Sequence, residues 1–167
     1  AWFVPNLNDQ KNIIGLELLA AILSVGRTSR LVKSLKEDSN LVESVYVDVN
    51  AGELGGLFII EASCESKDIH LVEEKINNII DEISNCNVLT LGEIKKAVNI
   101  VKSNYVFNLE TSTQLSSFFG NELLWGRKSS IINLETHLKY WESLDNFKGI
   151  TKFIGGDKFT LIASPST

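Results

Sequence analysis

The sequence has few of the residues that mark disulfide-rich, metal-rich or nucleic-acid-binding proteins. It contains two cysteines, Cys64 and Cys86, two histidines and no methionine among 167 residues. Two cysteines are too few for a disulfide scaffold and are not spaced like metal ligands, so we interpret them as small buried or half-buried thiols. Arginine is limited to Arg27, Arg30 and Arg127, and the net charge is -5. A mildly acidic surface repels phosphate, so nucleic acid is not expected as a partner.

Long apolar runs are also absent. No run approaches the ~18 residues of a membrane span, and no signal peptide is visible, so no membrane association is expected. The sequence does not identify the cell compartment, although the cytoplasm is slightly favoured. The missing methionine and the strand-like start at Ala1–Val4 predict a fragment of a longer polypeptide. The length and the 44% hydrophobic content predict one domain, residues 1–167, with a real core.

The first 64 residues read as a strand, two helices and a hairpin. Ala1–Val4 is the strand. Asp9 caps a helix whose apolar residues recur at helical spacing until Gly26 ends it, and a short helix follows. Valine alternates with polar residues over 45–50, and an apolar run covers 55–64. The short turn between these two runs predicts an antiparallel hairpin.

The remainder is mostly helical. Apolar residues line one face of a helix that begins near residue 68: Ile69, Val72, Ile76, Ile79, Ile80 and Ile83. Thr90 and Glu93 form a capping box that starts the next helix. Further helices are expected over 113–124, 134–144 and, capped by Asp145, 145–153. A turn then leads to a final strand over 159–163. This order predicts an α+β fold: a two-layer sandwich in which helices pack on one face of a small mixed, mostly antiparallel sheet.

No zinc site is evident, although one segment resembles part of one. Hydrolytic zinc needs three protein ligands and an open position, and only His70 and His137 are available. His70–Glu74 resembles the inverted motif H-x-x-E-H with its last histidine replaced by glutamate. His70 shares its helix face with Glu74, Asn77 and Asp81, which favours a solvated face without metal.

Other catalytic motifs are missing as well. There is no G-x-S-x-G nucleophile elbow and no phosphate-binding loop. Gly52, Gly55 and Gly56 join two strands instead of opening a helix, so they are interpreted as turn and bulge residues. Trp125–Lys128 places an aromatic ring beside two cations, which fits either a small binding corner or, more commonly, a helix end whose tryptophan packs inward.

Several short segments together resemble the insulinase, or pitrilysin-like, family of zinc metallopeptidases, which includes mitochondrial processing peptidase-like proteins. The segment Gly26–Leu31 is similar to the family's G-x-S-S-R-L, and Leu35–Glu37 to its L-R-E-E. Each match alone is weak, but their order is kept along nearly the whole chain. The matching segments are 18–23, 26–31, 35–37, 41–45, 89–94 and 108–111.

The resemblance implies a non-catalytic role for this chain. Such peptidases are built from repeated α+β domains, one of which carries the inverted zinc motif, while the others bind no metal and close over the substrate. This chain lacks the motif and resembles the second domain of a pair. No cofactor is therefore expected here, and zinc is expected in a separate catalytic domain, in cis or on a partner subunit.

A pair of substrate-contact positions also follows from the resemblance. Family members often hold a substrate-gripping arginine and tyrosine seven residues apart, and the aligned positions here are Lys36 and Glu43. Lysine lacks the planar fork of arginine, and glutamate offers an acceptor where a donor is wanted. This departure places contact with a peptide substrate in question.

Two functional hypotheses remain open. The chain is either a helper domain that encloses peptide or pairs with the zinc-bearing domain, or an interaction and scaffold module of a catalytically inactive family homologue. A free-standing hydrolase lacks a catalytic constellation. An inverted zinc motif in the preceding couple of hundred residues or in a partner gene would favour the first hypothesis.

Overall fold

A computed structural model describes residues 1–84, 88–124 and 130–164, which form an antiparallel sheet with helices packed against it. The strands are β1 (Trp2–Val4), β2 (Ser44–Ala51) and β3 (Gly56–Ser63). The α-helices are α1 (Gln10–Ser24), α2 (Ile69–Ser84), α3 (Leu91–Phe107), α4 (Ser112–Leu124), α5 (Leu134–Trp141) and α6 (Leu144–Thr151). A π-helical segment covers Val32–Glu37, and short 3₁₀ turns cover Ser66–Asp68 and Ser130–Asn133.

The sheet has the order β1-β3-β2, so β3 is its central strand. The predicted hairpin is confirmed, with Val45 opposite Ala62 and Val49 opposite Phe58. β1 pairs with the other edge of β3, and Trp2 lies opposite Phe58. Both pairings are antiparallel, so the described sheet is antiparallel throughout and not mixed.

Helix α1 is the centre of the core. Asp9 is its N-cap and accepts a hydrogen bond from the amide of Asn12 at 3.4 Å, as its sequence position predicts. The helix packs against β2, α3, α5 and α6, so nearly every side is covered and few polar residues are tolerated. Its buried residues are Ile14, Gly15, Leu16, Leu18, Leu19, Ala20, Ala21, Ile22 and Leu23.

Helix α2 buries the apolar face that its sequence period predicts. Val72, Ile80 and Ile83 are buried. Ile76 and Ile79 are half-buried and pack against the same core. The capping box that starts α3 is confirmed in both directions, since Thr90 accepts from the amide of Glu93 and the Glu93 carboxylate accepts from the amide of Thr90.

Two local predictions are wrong. Residues 159–163 form no strand, because within the described chain only Ala1 lies alongside this segment and exchanges main-chain hydrogen bonds with Phe159. Asp145 is not a helix cap. Ser143 has the extended backbone of an N-cap, so α6 begins at Leu144 and Asp145 lies in its first turn.

Some predictions fall outside the described residues, namely those on Cys86, Trp125–Lys128 and Pro165. Among the helices that are described, none combines the length and the apolar content that a bilayer crossing requires. Cys64, at the end of β3, is a half-buried free thiol.

Candidate functional site

Lys36 and Glu43, the two predicted substrate-contact positions, lie next to each other. Lys36 is near the end of the π-helical segment, and Glu43 directly precedes β2. The Lys36 ammonium donates a hydrogen bond to the main-chain carbonyl oxygen of Glu43 at 2.7 Å. Both residues are exposed. The contact uses the backbone of Glu43, so it does not depend on the glutamate side chain.

Buried leucines and a tight reversal of the chain bring these positions together. Leu31 and Leu35 are fully buried and anchor the π-helical segment to the core. Asn40 has a φ of 48° and reverses the chain, and the amide of Leu41 then donates to the carbonyl of Leu35 at 2.8 Å. Lys36 and Glu43, seven residues apart, thus lie at the two ends of one short loop and come close together in space.

The segment Gly26–Leu31, which carries part of the family resemblance, ends α1 and starts the π-helical segment. Gly26 has a φ of 88°, a left-handed conformation that glycine adopts without steric cost. The Ser29 hydroxyl donates to the carbonyl of Gly26 at 2.6 Å and holds the turn closed. Ser29 therefore has a structural role in this segment, and the nearby Leu31 is a core residue.

Arg30 ties this turn to the start of α3. Its guanidinium donates to both carboxylate oxygens of Glu93, at 2.8 and 3.1 Å, and also to the carbonyl of Val88. Burial acts to raise the pKa of Glu93, but hydrogen bonds from Arg30 and Thr90 outweigh it, and the pKa lies below its usual value. One carboxylate thus caps a helix and joins two segments distant in sequence.

Arg27 makes a similar fork with Glu37, at 3.2 and 2.7 Å, but in solvent. The hydrogen bond and the charge of Arg27 lower the pKa of the Glu37 carboxyl. An exposed ion pair of this kind contributes little to stability. Arg27, Arg30 and Lys36 are therefore each engaged with neighbouring residues of the same chain.

The structure does not bring the histidines into a common site. His70 and Glu74 are exposed on α2, while His137 is half-buried on α5. Burial and the charge of Lys11 lower the pKa of His137, and Asp9 acts in the opposite sense. Over residues 1–84, 88–124 and 130–164, no three side chains of the metal-binding types lie close enough to share an ion.

Two carboxylates that line one cavity, the half-buried Glu17 and the buried Glu122, were missed by the sequence reasoning. Glu17 lies on α1 and lines a cavity of about 300 Å³ together with Gln10, Tyr105 and Glu122. Burial raises the pKa of Glu17 to about 7, a hydrogen bond from Tyr105 acts against this rise, and the charge of Asp48 adds to it. The available signal was a lone acid within the apolar run of α1, a position where charged residues are rare.

Comparisons with known proteins assign this chain to a protein family. The sequence profile of the Peptidase M16 inactive domain matches residues 1–101. An uncharacterised zinc protease of Streptomyces coelicolor is 30% identical over 115 residues, which is 68% of this chain and 25% of that protein. The uncharacterised zinc protease YmxG of Bacillus subtilis is 23% identical over 93% of this chain and 38% of that protein.

A solved structure agrees in fold. The peptidase M16 inactive domain from Pseudomonas fluorescens superposes with a TM-score of 0.75 at 15% identity, covering 90% of this chain and 36% of that one. The α+β class predicted from the sequence is confirmed by this likeness and by the helices and sheet described above. The chain spans about a quarter to two-fifths of the length of the two curated relatives.

Proposed function

Because this chain belongs to the Peptidase M16 inactive domain family, we propose that it is the non-catalytic part of a zinc peptidase, which pairs with a zinc-bearing domain and helps to enclose a peptide substrate. The family match is the observation that carries this proposal, and it confirms the resemblance read from the sequence motifs. We likewise propose that residues 1–167 form one domain of a longer chain. The zinc-bearing domain is expected in cis or on a partner subunit.

Exposed apolar side chains at two helix ends support the pairing. Val106 and Phe107 end α3, and Leu123 and Leu124 end α4, and all of them are more than half exposed. Burying such side chains against a partner would remove apolar area from water. Helix α4 also packs only sparsely against the rest of the described fold. The pair of helix ends therefore suits a partner domain.

Reconstitution tests the proposal. The zinc-bearing region and this region of the longer protein are expressed as separate chains and then mixed. We expect a stoichiometric complex by size-exclusion chromatography, and peptide cleavage that is much faster in the mixture than with either chain alone. Full cleavage by the zinc-bearing region alone, with no complex, would contradict the proposal.

We expect this domain to contact substrate sterically and not through specific hydrogen bonds. The Lys36 ammonium is already hydrogen-bonded to the main chain of Glu43, and the Glu43 carboxylate offers no hydrogen-bond donor where the family has tyrosine. Both departures from the family pair favour a domain that encloses the peptide without forming side-chain hydrogen bonds to it.

A double substitution that restores the family pair tests this point. Lys36→Arg with Glu43→Tyr is introduced into the zinc-loaded, catalytically disabled assembly, and peptide binding is followed by isothermal titration calorimetry. We expect an unchanged Kd. The control is Lys102→Arg with Glu135→Tyr, an exposed ion pair elsewhere. A gain of roughly 1–3 kcal/mol in the first variant alone, the scale of charge-assisted hydrogen bonds, would restore a gripping role.

The alternative is a scaffold module in a catalytically inactive homologue. The same exposed apolar side chains favour it, since they would pack against a partner whether or not that partner binds zinc. The two functions differ in the partner: complex formation with a domain that has no zinc motif, and no cleavage in the mixture, would support the scaffold.

A further inference from the structure

The central strand is paired along only part of one edge. β2 covers β3 over its whole length, from Gly56 to Ser63. β1 covers the other edge only from Gly56 to Phe58. Within the described part of the chain, residues 59–63 therefore have no strand on that side. An unpaired edge leaves main-chain amides and carbonyls that favour another strand.

A second wall stands opposite this open edge. Ala1 exchanges two main-chain hydrogen bonds with Phe159, at 2.8 and 2.9 Å, so β1 lies between β3 and the segment that contains Phe159. Neighbouring strands are spaced by ~4.8 Å, which puts that segment ~9.6 Å from β3. Just beyond Ala1, the space between the two walls is one strand wide.

Helix α2 closes the bottom of this slot. The cavity measures about 620 Å³ and is lined by β3, by residues 158–164 and by Ile69, Val72 and Ile76 of α2. Contacts from Lys158 to Asn77 and from Thr160 to Glu73 hold the second wall to α2. Ile69, Val72 and Ile76 give the floor its apolar part, and Glu73 and Asn77 also line it.

The side chains around the slot show which face is left uncovered. Ala62 points to the same face as its buried cross-strand partner Val45, and yet Ala62 is exposed.

We propose that the slot holds an extended strand that continues β1 and runs antiparallel to β3. This strand is supplied by polypeptide joined to Ala1 in the longer protein. A helix, ~10–12 Å across with its side chains, is too wide for the slot. The register of β1 fixes the register of its continuation: the residue joined to Ala1 lies opposite Ile60, and the two before it lie opposite Glu61 and Ala62.

The alternation of the pleat fixes the chemistry of this strand. Trp2 and Phe58 are buried and face the helices, whereas Phe3 is 84% exposed. Side chains opposite Ile60 and Ala62 therefore face α2 and are apolar, while those opposite Glu61 and Ser63 face solvent. This inference rests on the sheet and on the proposal that the chain continues before Ala1 in a longer protein, and it does not depend on the proposed peptidase role.

An N-terminal extension of defined pattern tests the proposal. Thr-Val-Lys-Val is fused directly before Ala1, which sets both valines toward α2 and the lysine opposite Glu61. We expect the amides of residues 59–63 that point away from β2 to exchange with solvent at least roughly tenfold more slowly than in the unextended chain, together with a higher Tm. Amide exchange is read residue by residue by NMR.

Matched controls make the result specific. Val-Thr-Val-Lys has the same composition but turns threonine and lysine inward, so it is expected to give little protection and no rise in Tm. Equal protection by both extensions, or slow exchange of the same amides without any extension, would overturn the proposal. Protection by a free Thr-Val-Lys-Val-Ala peptide but not by the fusion would assign the slot to a separate strand and also contradict it.

Discussion

At the scale of single residues, Glu17 is the most informative side chain for stability. It is the only acid in α1, it lines the same cavity as the buried Glu122, and its hydrogen-bond donor is Tyr105. Ionising Glu17 in the folded protein would place a negative charge in a site that is largely out of water and has no counterion. The carboxyl therefore keeps its proton to a higher pH in the folded state than in the unfolded chain.

This imbalance predicts a stability that falls as the pH rises. Below the ordinary carboxyl pKa of 4.5 both states are protonated, and the penalty for ionising Glu17 grows until the pH passes its folded-state pKa of about 7. Glu17→Gln should keep the contact with Tyr105 and remove the fall, a gain of about 1–3 kcal/mol at pH 8 and almost none at pH 4. Urea denaturation at the two pH values measures it.

The control for this prediction is Glu74→Gln, an exposed acid on α2. It should change the free energy of unfolding equally little at both pH values. A Glu17→Gln variant with the same pH dependence as the parent chain would show that the carboxyl ionises in the folded state without cost.

The residue scale also shows which site features a sequence can predict. Lys36 and Glu43 were located through the family resemblance, and their contact follows from one short loop. Asp9 and the Thr90–Glu93 capping box follow from interactions within a few residues. The environment of Glu17 depends on α1, α3, α4 and β2 meeting in space, which no local pattern encodes.

At the scale of elements, the close packing of α1 on α5 and α6 depends on Gly15. A Cβ atom there would lie 2.6 Å from the side chain of Ile150 and 2.8 Å from Trp141. Both neighbours are almost fully buried and have little room to move. Gly15→Ala should therefore destabilise the protein by about 1–3 kcal/mol through overpacking, even though alanine favours a helix.

Gly149 on α6 is the matched control. A Cβ atom at Gly149 meets nothing within 4 Å, so Gly149→Ala should be neutral or stabilise by up to about 1 kcal/mol. Thermal or urea unfolding of both variants separates packing from helix propensity. Equal stabilisation by the two substitutions would show that α1 can move away from α6.

Secondary structure is predicted correctly where the hydrophobic period of a segment determines it, and wrongly where contacts with other segments determine it. The alternation in β2 and the isoleucine face of α2 fix those elements locally. The final strand over 159–163 was predicted from its apolar run, but a strand needs a partner, and among the described residues only Ala1 makes main-chain hydrogen bonds with Phe159. The π-helical form of Val32–Glu37 likewise departs from the ordinary helical period on which the prediction was based.

At the scale of the whole molecule, the proposed pairing makes a prediction about surface leucines. Leu123 is 77% exposed at the end of α4, and Leu54 is 98% exposed at the turn between β2 and β3. Leu123→Asp should weaken the complex with the zinc-bearing region at least roughly tenfold, because apolar contacts at an interface are lost. Leu54→Asp should leave the Kd unchanged.

Both variants change an exposed leucine to the same acid, so the folded chain should tolerate each of them equally. Analytical ultracentrifugation or titration calorimetry of each variant with the separate zinc-bearing region gives the comparison. Equal affinities for the two variants would move the pairing surface away from α4.

The central claim is that this chain is the non-catalytic part of its family's architecture, and the metal content of the purified chain tests it most directly. After incubation with zinc and exhaustive dialysis, elemental analysis should find zinc far below one ion per chain, because His70 and His137 lie on different helices and no cluster of ligands is found among the described residues. One zinc ion retained per chain and lost on His70→Ala, together with peptide cleavage by the chain alone, would contradict the account.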